Sequence, residues 1–290
     1  MEHILQALSS SGYRVEPARF ATGRPDRTTL ALLTPQGEPA VGKIYPSGGG
    51  EATYDNMQEL WRSSFGQRRT PPGLPRPIEY LPGVQILVME RLEGRPLAEL
   101  GVLDQGVLDG AMRLLADLHS CDAQPARQRN ARRTLRSVRR KARSIAELAP
   151  HLAGPPWAVV RALEDAPMVN SELVPSHGDF SARNILVGQD RLALIDWDRF
   201  QGADPARDAA YLGVWAWVAA LREGRSPDWR VLERAVSVYG TLRPQAAVES
   251  RLDFYVAAGL VRIAHSLVRL WPQDAHLVPQ LAAEALRRLA

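Results

Sequence analysis

The sequence is poor in cysteine, since Cys121 is the only one in 290 residues. A single thiol excludes an internal disulfide and fits the reducing environment of the cytosol. Long apolar runs are also lacking: the longest, Ala209 to Leu221, has 13 residues and is too short to span a bilayer. The first residues lack the basic region and long apolar core of a signal peptide. These absences predict a cytoplasmic protein with no membrane partner.

Acidic residues are missing from one stretch of the chain. Between Arg127 and Arg143 there are eight arginines and one lysine, against a formal net charge of +4 for the whole chain. Without these nine residues, 27 basic side chains face 32 acidic ones, a net charge of −5. The basicity is therefore local. No nucleic-acid recognition motif accompanies it, so nucleic acid is not an expected partner.

Two polar loops stand beside short apolar runs in the second half of the chain. The first loop, 176–184, reads SHGDFSARN and precedes the apolar run 185–187. The second loop reads DWD and follows the apolar run 192–195. Gly188-Gln189-Asp190 is a plausible turn sequence, so the two runs are predicted to pair as a β-hairpin.

A hairpin of this kind would bring Asp179, Asn184 and Asp196 together at one end. Two carboxylates and an amide are all oxygen donors, which suit a hard cation such as Mg²⁺ better than zinc. The alternative is that these residues only cap turns, as single Asp and Asn residues often do.

This ordered set resembles the aminoglycoside phosphotransferase and choline kinase superfamily. The resemblance rests on His177-Gly178-Asp179, on Asn184 five residues after the aspartate, and on Asp196 opening an Asp-Trp-Asp. It implies that Asp179 is the base that orients and deprotonates a substrate hydroxyl. It also implies that Asn184 and Asp196 hold the Mg²⁺ ions that bridge the phosphates of ATP.

The resemblance further implies a two-lobed, protein-kinase-like α+β fold. Residues 1–93 would form a small N-lobe with an antiparallel sheet and one helix. Residues 94–290 would form a mostly helical C-lobe with a helical insert at about 97–170. The turn at 21–26 occupies the position of a phosphate loop, but with one glycine it fits an ordinary hairpin turn equally well.

Lys43 lies in an apolar strand, where an ammonium group is costly unless it meets an anion. It resembles the strand lysine that contacts the α- and β-phosphates of the nucleotide; the alternative is a lysine that snorkels from an edge strand. The family pairs this lysine with a helical glutamate. Glu59, 16 residues further on, is the preferred candidate and Glu51 the second, unless these glutamates merely lie on a solvated face.

The stretch 87–94 resembles the linker between the lobes. The resemblance implies that adenine hydrogen-bonds to the carbonyl of Glu90 and the amide of Leu92, with Met89 at the back of the pocket. A plain strand followed by a glycine turn is the alternative. Further along, Asp208 matches an aspartate that braces the Asp179 loop, although a first-turn acid that interacts with the helix dipole is also possible.

The Arg-rich helix has two interpretations. Arg136, Arg139 and Arg140 could form a platform for a phosphorylated or acidic substrate. They could equally form a solvated face, because the apolar stripe of the helix lies elsewhere. The sequence leaves both open and favours the second.

Two departures from protein kinases indicate a small-molecule substrate. Ser181 stands where protein kinases have a lysine, and no activation segment ending in an A-P-E-like motif follows Asp196. The predicted function is transfer of the ATP γ-phosphoryl group to a hydroxyl of an aminoglycoside-like or other hydroxylated antibiotic. The alternatives are a housekeeping kinase for choline, an amino alcohol or a sugar, and a catalytically inactive, nucleotide-binding regulator.

Overall fold

The computed structural model describes residues 2–19, 28–100, 104–167 and 171–290. The turn predicted at 21–26 lies outside these ranges. Within them an antiparallel sheet comes first and a series of helices follows. The predicted α+β class is confirmed, whereas the boundary near residue 93 and the insert at 97–170 stay predictions.

The first part of the chain is a five-stranded antiparallel sheet in the order β1-β2-β3-β5-β4. Its elements are α1 (Glu2–Ser10), β1 (Arg14–Arg19), β2 (Thr29–Leu33), β3 (Pro39–Ile44), α2 (Gly50–Arg62), α3 (Ser64–Gln67), β4 (Pro77–Leu81) and β5 (Ile86–Glu90). In the pairing of β3 with β5, Lys43 lies opposite Leu87 and Val41 opposite Met89. Because alternate residues of a strand share a face, these four side chains point to the same side.

The two faces of this sheet pack against different parts of the protein. On one face Ile86 forms a small buried cluster with Leu8 of α1. On the other face Leu87 joins the large core together with Met57 of α2. Lys43 therefore lies on the face that is turned toward α2 and the rest of the molecule.

Two small sheets carry the polar loops. Their strands are β6 (Arg95–Pro96), β7 (Gln128–Arg129), β8 (Val174–Ser176), β9 (Ile185–Val187), β10 (Leu192–Leu194) and β11 (Gln201–Ala203). Strands β9 and β10 pair antiparallel, with Leu192 opposite Val187, so the predicted hairpin is confirmed. Strand β11 pairs with both β7 and β8.

Seven longer helices make up most of the remaining structure. They are α4 (Gln105–His119), α5 (Ala131–Leu148), α6 (Gly154–Asp165), α7 (Ala206–Arg222), α8 (Arg230–Leu242), α9 (Leu252–Leu270) and α10 (Val278–Leu289). Helix α9 packs against α5, α7 and α10, and its many buried residues explain its almost continuous apolar sequence. In the part of the chain that is described, no helix combines the length and apolarity needed to cross a membrane.

Candidate active site

Lys43 joins the five-stranded sheet to the loop after β10. Its Nζ lies 2.6 Å from Oδ1 of Asp196 and 2.7 Å from Oδ1 of Asp198, and its side chain is 12% exposed. The Tyr45 hydroxyl donates to the same Asp198 oxygen at 2.7 Å. Burying an ammonium group is costly, and two carboxylates offset that cost.

The predicted pairing of Lys43 with Glu59 is wrong. Oε1 of Glu59 accepts a hydrogen bond from the backbone N–H of Gln124 at 3.0 Å, which ties α2 to the segment after α4. Glu51, the second candidate, is exposed in the first turn of α2. The physical reason is that the loop after β10 supplies two carboxylates close to Lys43, and these satisfy its charge.

Asp196 has an unusual backbone conformation. Its φ of 65° is left-handed, which is uncommon for a residue other than glycine. The short 3-10 helix that follows contains the buried Trp197, whose Nε1–H donates to the carbonyl of Leu194 at 3.0 Å. Strained conformations of this kind persist where the surroundings hold them, and they concentrate at functional sites.

His177 links the first polar loop to the second. Its Nδ1 accepts from the Asp179 backbone N–H at 3.2 Å, so the proton lies on Nε2, which donates to the carbonyl of Ile195 at 2.9 Å. The imidazole also packs on Trp197, with ring centroids 4.7 Å apart. The histidine thereby positions both loops.

Asp208 holds the backbone of the first polar loop through hydrogen bonds. Its carboxylate accepts from the N–H groups of His177 at 2.7 Å and Gly178 at 3.0 Å. Burial raises the pKa of Asp208, but His119, Arg207 and His177 lower it more, so the group is ionised. Gly178 has a φ of 75°, and a Cβ there would lie 2.3 Å from the Arg199 carbonyl oxygen. The bracing predicted for Asp208 is confirmed.

Asn184 contacts the backbone of Asp179. Its side-chain Nδ2 donates to the backbone carbonyl of Asp179 at 2.9 Å, and its backbone carbonyl accepts from the Ile195 N–H at 3.0 Å. Because the nitrogen is engaged, Oδ1 is the amide atom that can bind a cation. Among the described residues no three His, Cys, Asp or Glu side chains form a metal cluster. The carboxylate and amide donors fit Mg²⁺ with few protein ligands, in which other oxygens complete the coordination.

Asp179 is 5% exposed and lies between two arginines. Nη2 of Arg262 contacts its Oδ1 at 2.5 Å, and Nε of Arg199 lies 3.7 Å from its Oδ2. Burial raises the pKa of Asp179, but Arg262 and Arg199 lower it more, and Asp196 opposes them. The net shift is downward, so the side chain is a carboxylate at neutral pH.

A cavity of about 220 Å³ opens beside Asp179. Its walls come from α5, the first polar loop, the short 3-10 helix Trp197–Arg199, α7, α9 and the residue after α9. Its cationic lining residues are Lys141, Arg183, Arg199, Arg222, Arg262 and Arg269. Tyr211, Trp215 and Trp271 supply aromatic surface. Asp179 thus lines an open cavity and also lies near Asp196, one of the two carboxylates that hold Lys43.

The comparison with protein families identifies the chain. Residues 18–243, most of the sequence, match the family model of the APH phosphotransferase enzyme family. The chain belongs to this family. It is accordingly a small-molecule phosphotransferase, which confirms both the recognition made from the motif and the enzyme class. A search of curated proteins found no match.

Solved structures of this family's fold cover nearly the whole chain. A choline kinase from Cryptosporidium parvum Iowa II has a TM-score of 0.68 at 11% identity, over 99% of this chain and 94% of that one. Aminoglycoside phosphotransferase APH(4)-Ia, as a thermostable mutant in ternary complex with AMP-PNP and hygromycin B, has a TM-score of 0.67 at 15% identity, over 99% of both chains. A putative fructosamine-3-kinase from Thermobifida fusca YX-ER1 has a TM-score of 0.62 at 18% identity, over 97% of both. These TM-scores, over nearly the full length of each chain, show a shared fold.

The residues predicted to contact adenine lie at the end of β5 and just beyond it. Met89 packs half-buried against the large core, and Leu92 is half-buried. The Glu90 side chain accepts from Arg191 at 2.9 Å and from the Arg76 backbone N–H at 3.0 Å. Their contacts with a nucleotide stay predictions.

Sequence reasoning missed three contributors to the site. Asp198 shares Lys43 with Asp196, and its place two residues after Asp196 in a polar loop was a usable signal. Arg199 follows directly and contacts Asp179. Arg262 lies 83 residues after Asp179, in the middle of α9. No local motif marks Arg262, because only the packing of α9 brings it to the loop.

Proposed function

We propose that this phosphotransferase moves the γ-phosphoryl group of ATP to a hydroxyl group of a small molecule in a Mg²⁺-dependent reaction, with Asp179 as base. One observation carries the proposal. Asp179 lines a cavity large enough for a small acceptor, and it lies close enough to Asp196, one of the carboxylates that hold Lys43, for that charge to act on its pKa. Phosphoryl transfer needs this arrangement, because donor and acceptor must approach a single point from opposite sides.

On the donor side, Lys43 binds phosphate oxygens, and Asn184 and Asp196 would hold Mg²⁺. When bound, the metal neutralises charge on the phosphates. The ammonium group of Lys43 is already held by Asp196 and Asp198, so its position is set before the nucleotide arrives. The adenine hydrogen-bonds to the Glu90 carbonyl and the Leu92 amide and packs against Met89.

On the acceptor side, Asp179 orients the hydroxyl and takes its proton. The hydroxyl oxygen forms a bond to the γ-phosphorus, the bond from that phosphorus to the bridging oxygen breaks, and ADP leaves with the electron pair. The lowered pKa of Asp179 keeps it ionised and makes it a weak base. Its main role is therefore positioning, with proton uptake late in the transfer.

The acceptor classes that the sequence allows all carry a hydroxyl group, and they differ in charge. An aminoglycoside-like antibiotic and choline are cationic, whereas sugars and many other hydroxylated compounds are neutral or anionic. Residues matching the motif at Lys43, Asp179, Asn184 and Asp196 argue against a catalytically inactive regulator. An antibiotic acceptor, which would make the protein a resistance enzyme, is one member of this wider class.

A coupled assay of ADP release tests the proposal. Wild-type protein is screened with hydroxylated antibiotics, choline-like amines, sugars, sugar acids and sugar phosphates, with casein as a protein acceptor. We expect release that depends on a small hydroxylated molecule and is lost in Asp179→Asn. Phosphorylation of casein alone, or equal release by Asp179→Asn, contradicts the proposal.

A further inference from the structure

The cavity beside Asp179 belongs to the acceptor side of the site. Among the described residues, every one that lines it lies between Lys141 and Trp271, and none comes from the five-stranded sheet that carries Lys43. Asp179 and Arg183 are the residues of the first polar loop that line the cavity. If the protein acts as proposed above, a molecule in this cavity can place a hydroxyl against Asp179, and the nucleotide does not occupy it.

The charge of this cavity is strongly positive. Six cationic side chains line it and Asp179 is its one carboxylate within the described ranges. Three of the six are matched by nearby acids: Arg222 by Asp274 at 2.7 Å, and Arg262 and Arg199 by Asp179 at 2.5 and 3.7 Å.

Three of the cations lack such a match. In the described parts of the chain, Lys141, Arg183 and Arg269 have no carboxylate within ion-pair distance. Arg183 and Arg222 lie over the ring of Trp271, at 5.8 and 5.1 Å from its centroid. The cavity therefore combines the unmatched positive charge of Arg183 with the flat aromatic surface of Trp271.

Lys141 is one of the cations that this positive field acts on. It lies half-buried on α5, and its Nζ donates to Oγ of Ser137 at 3.2 Å. Its pKa is lowered to about 8, mostly by burial and further by Arg199, Arg262, Arg129 and Arg140. A nearby anion would stabilise the charged form that these neighbours now disfavour.

The positive field continues into an adjoining smaller cavity. The two cavities share Lys141, Arg199, Tyr211 and Arg262, and the second adds Arg129 and Arg207. A polycation such as an aminoglycoside would be repelled from both. The exposed Arg136, Arg139 and Arg140 line neither cavity.

We propose that the acceptor is a hydroxylated anion, which carries a carboxylate or phosphate bound by Lys141, Arg183 and Arg269 while its hydroxyl lies against Asp179. Charge-assisted hydrogen bonds from three cations hold the anionic end. The hydroxyl then loses its proton to Asp179 as its oxygen bonds the γ-phosphorus and ADP departs. Charge, rather than a particular carbon skeleton, is the main requirement.

Two measurements test this assignment. The first compares ADP release with glucosamine, glucose, gluconate and glucose 6-phosphate, which share a six-carbon skeleton and differ in charge. The second is independent of turnover and titrates inorganic phosphate and gluconate into wild type, Lys141→Gln and Arg143→Gln by calorimetry. Arg143 is the matched control, since it is exposed on the same helix and lines neither cavity.

We expect both anions to bind, and Lys141→Gln to weaken them about tenfold, the loss of one charge-assisted hydrogen bond, while Arg143→Gln binds like wild type. Preference for phosphate over gluconate, or the reverse, identifies which anion the acceptor carries. Equal anion affinity in wild type and Lys141→Gln overturns the inference. So does faster turnover with glucosamine than with both anionic compounds, a result that leaves the proposed phosphotransfer intact. Lysine-dependent anion binding without phosphorylation of any hydroxylated compound retains the anion site and rejects the proposed phosphotransfer.

Discussion

The two sides of Asp179 differ in charge and in the origin of their residues. On the donor side, one lysine meets two carboxylates that belong to a single short loop. On the acceptor side, six cations from three helices and two loop segments face one carboxylate in the described structure. The first arrangement has a net negative charge, which suits the proposed Mg²⁺, whereas the second has a net positive charge, which suits the proposed anionic acceptor.

Removal of the residue between the two sides should have the largest effect. Asp179→Asn is expected to lower kcat by about 10² to 10⁴-fold, because a positioned base is lost. The affinity for MgATP should stay close to wild type, since donor-side residues are unchanged. Steady-state kinetics and calorimetry measure the two quantities. Asp190→Asn, in the exposed turn between β9 and β10, is the control. Near-normal turnover of Asp179→Asn would remove its assignment as base.

The ion pair between Arg262 and Asp179 should contribute most to the stability of the acceptor side. Arg262→Gln leaves the buried Asp179 carboxylate without its nearest cation, which should cost about 3 kcal/mol of unfolding free energy. The double variant with Asp179→Asn should be less destabilised than the sum of the two single variants. Urea denaturation gives all four values. Strict additivity would show that the two side chains are not energetically coupled.

A donor-side change should leave the acceptor side intact. Asp196→Ala is expected to abolish Mg²⁺-dependent binding of ATP, because that carboxylate is the proposed metal ligand. Binding of gluconate in the cavity should be unaffected, since Asp196 does not line it. Calorimetry with each ligand separates the two sites. Wild-type MgATP affinity in this variant would make Asp196 a purely structural partner of Lys43.

The smallest effect is a pH dependence confined to the acceptor side. The pKa of Lys141 is lowered to about 8, with Arg199, Arg262, Arg129 and Arg140 near it and His265, whose own pKa is about 4, already neutral. Lys141 is thus charged below this pKa and loses its proton above it. KM for a carboxylate acceptor should be constant below about pH 8 and rise above it, by at most about tenfold per pH unit.

Lys141→Gln provides the control for this profile. It should have a higher KM that changes less across the same pH range. An identical rise in both proteins would assign the titration to another group.

Local sequence order was sufficient for the loops. The hairpin β9–β10 and the bracing by Asp208 follow from apolar runs, turn residues and a motif that places each group within a few tens of residues. Such features are set by neighbouring residues and by one strand pairing, which the pattern of side chains specifies directly.

Features that depend on how distant elements pack could not be predicted. Glu59 lies on a helix, as the sequence predicts, but its partner is Gln124 and not Lys43. The sequence does not specify how α2 packs against the segment after α4. Arg262 reaches Asp179 only through the packing of α9. The cationic cavity likewise combines residues of α5, α7 and α9. The motif therefore could not predict whether the acceptor is anionic or cationic.

Transfer of a labelled γ-phosphoryl group tests the central claim most directly. ATP labelled at the γ-phosphate is incubated with wild type or Asp179→Asn and each hydroxylated compound, and the label is located by mass spectrometry. The account predicts label on the hydroxyl of an anionic small molecule with wild type, and its loss with Asp179→Asn. Label found in inorganic phosphate alone, or on a cationic compound in preference to every anionic one, would contradict it.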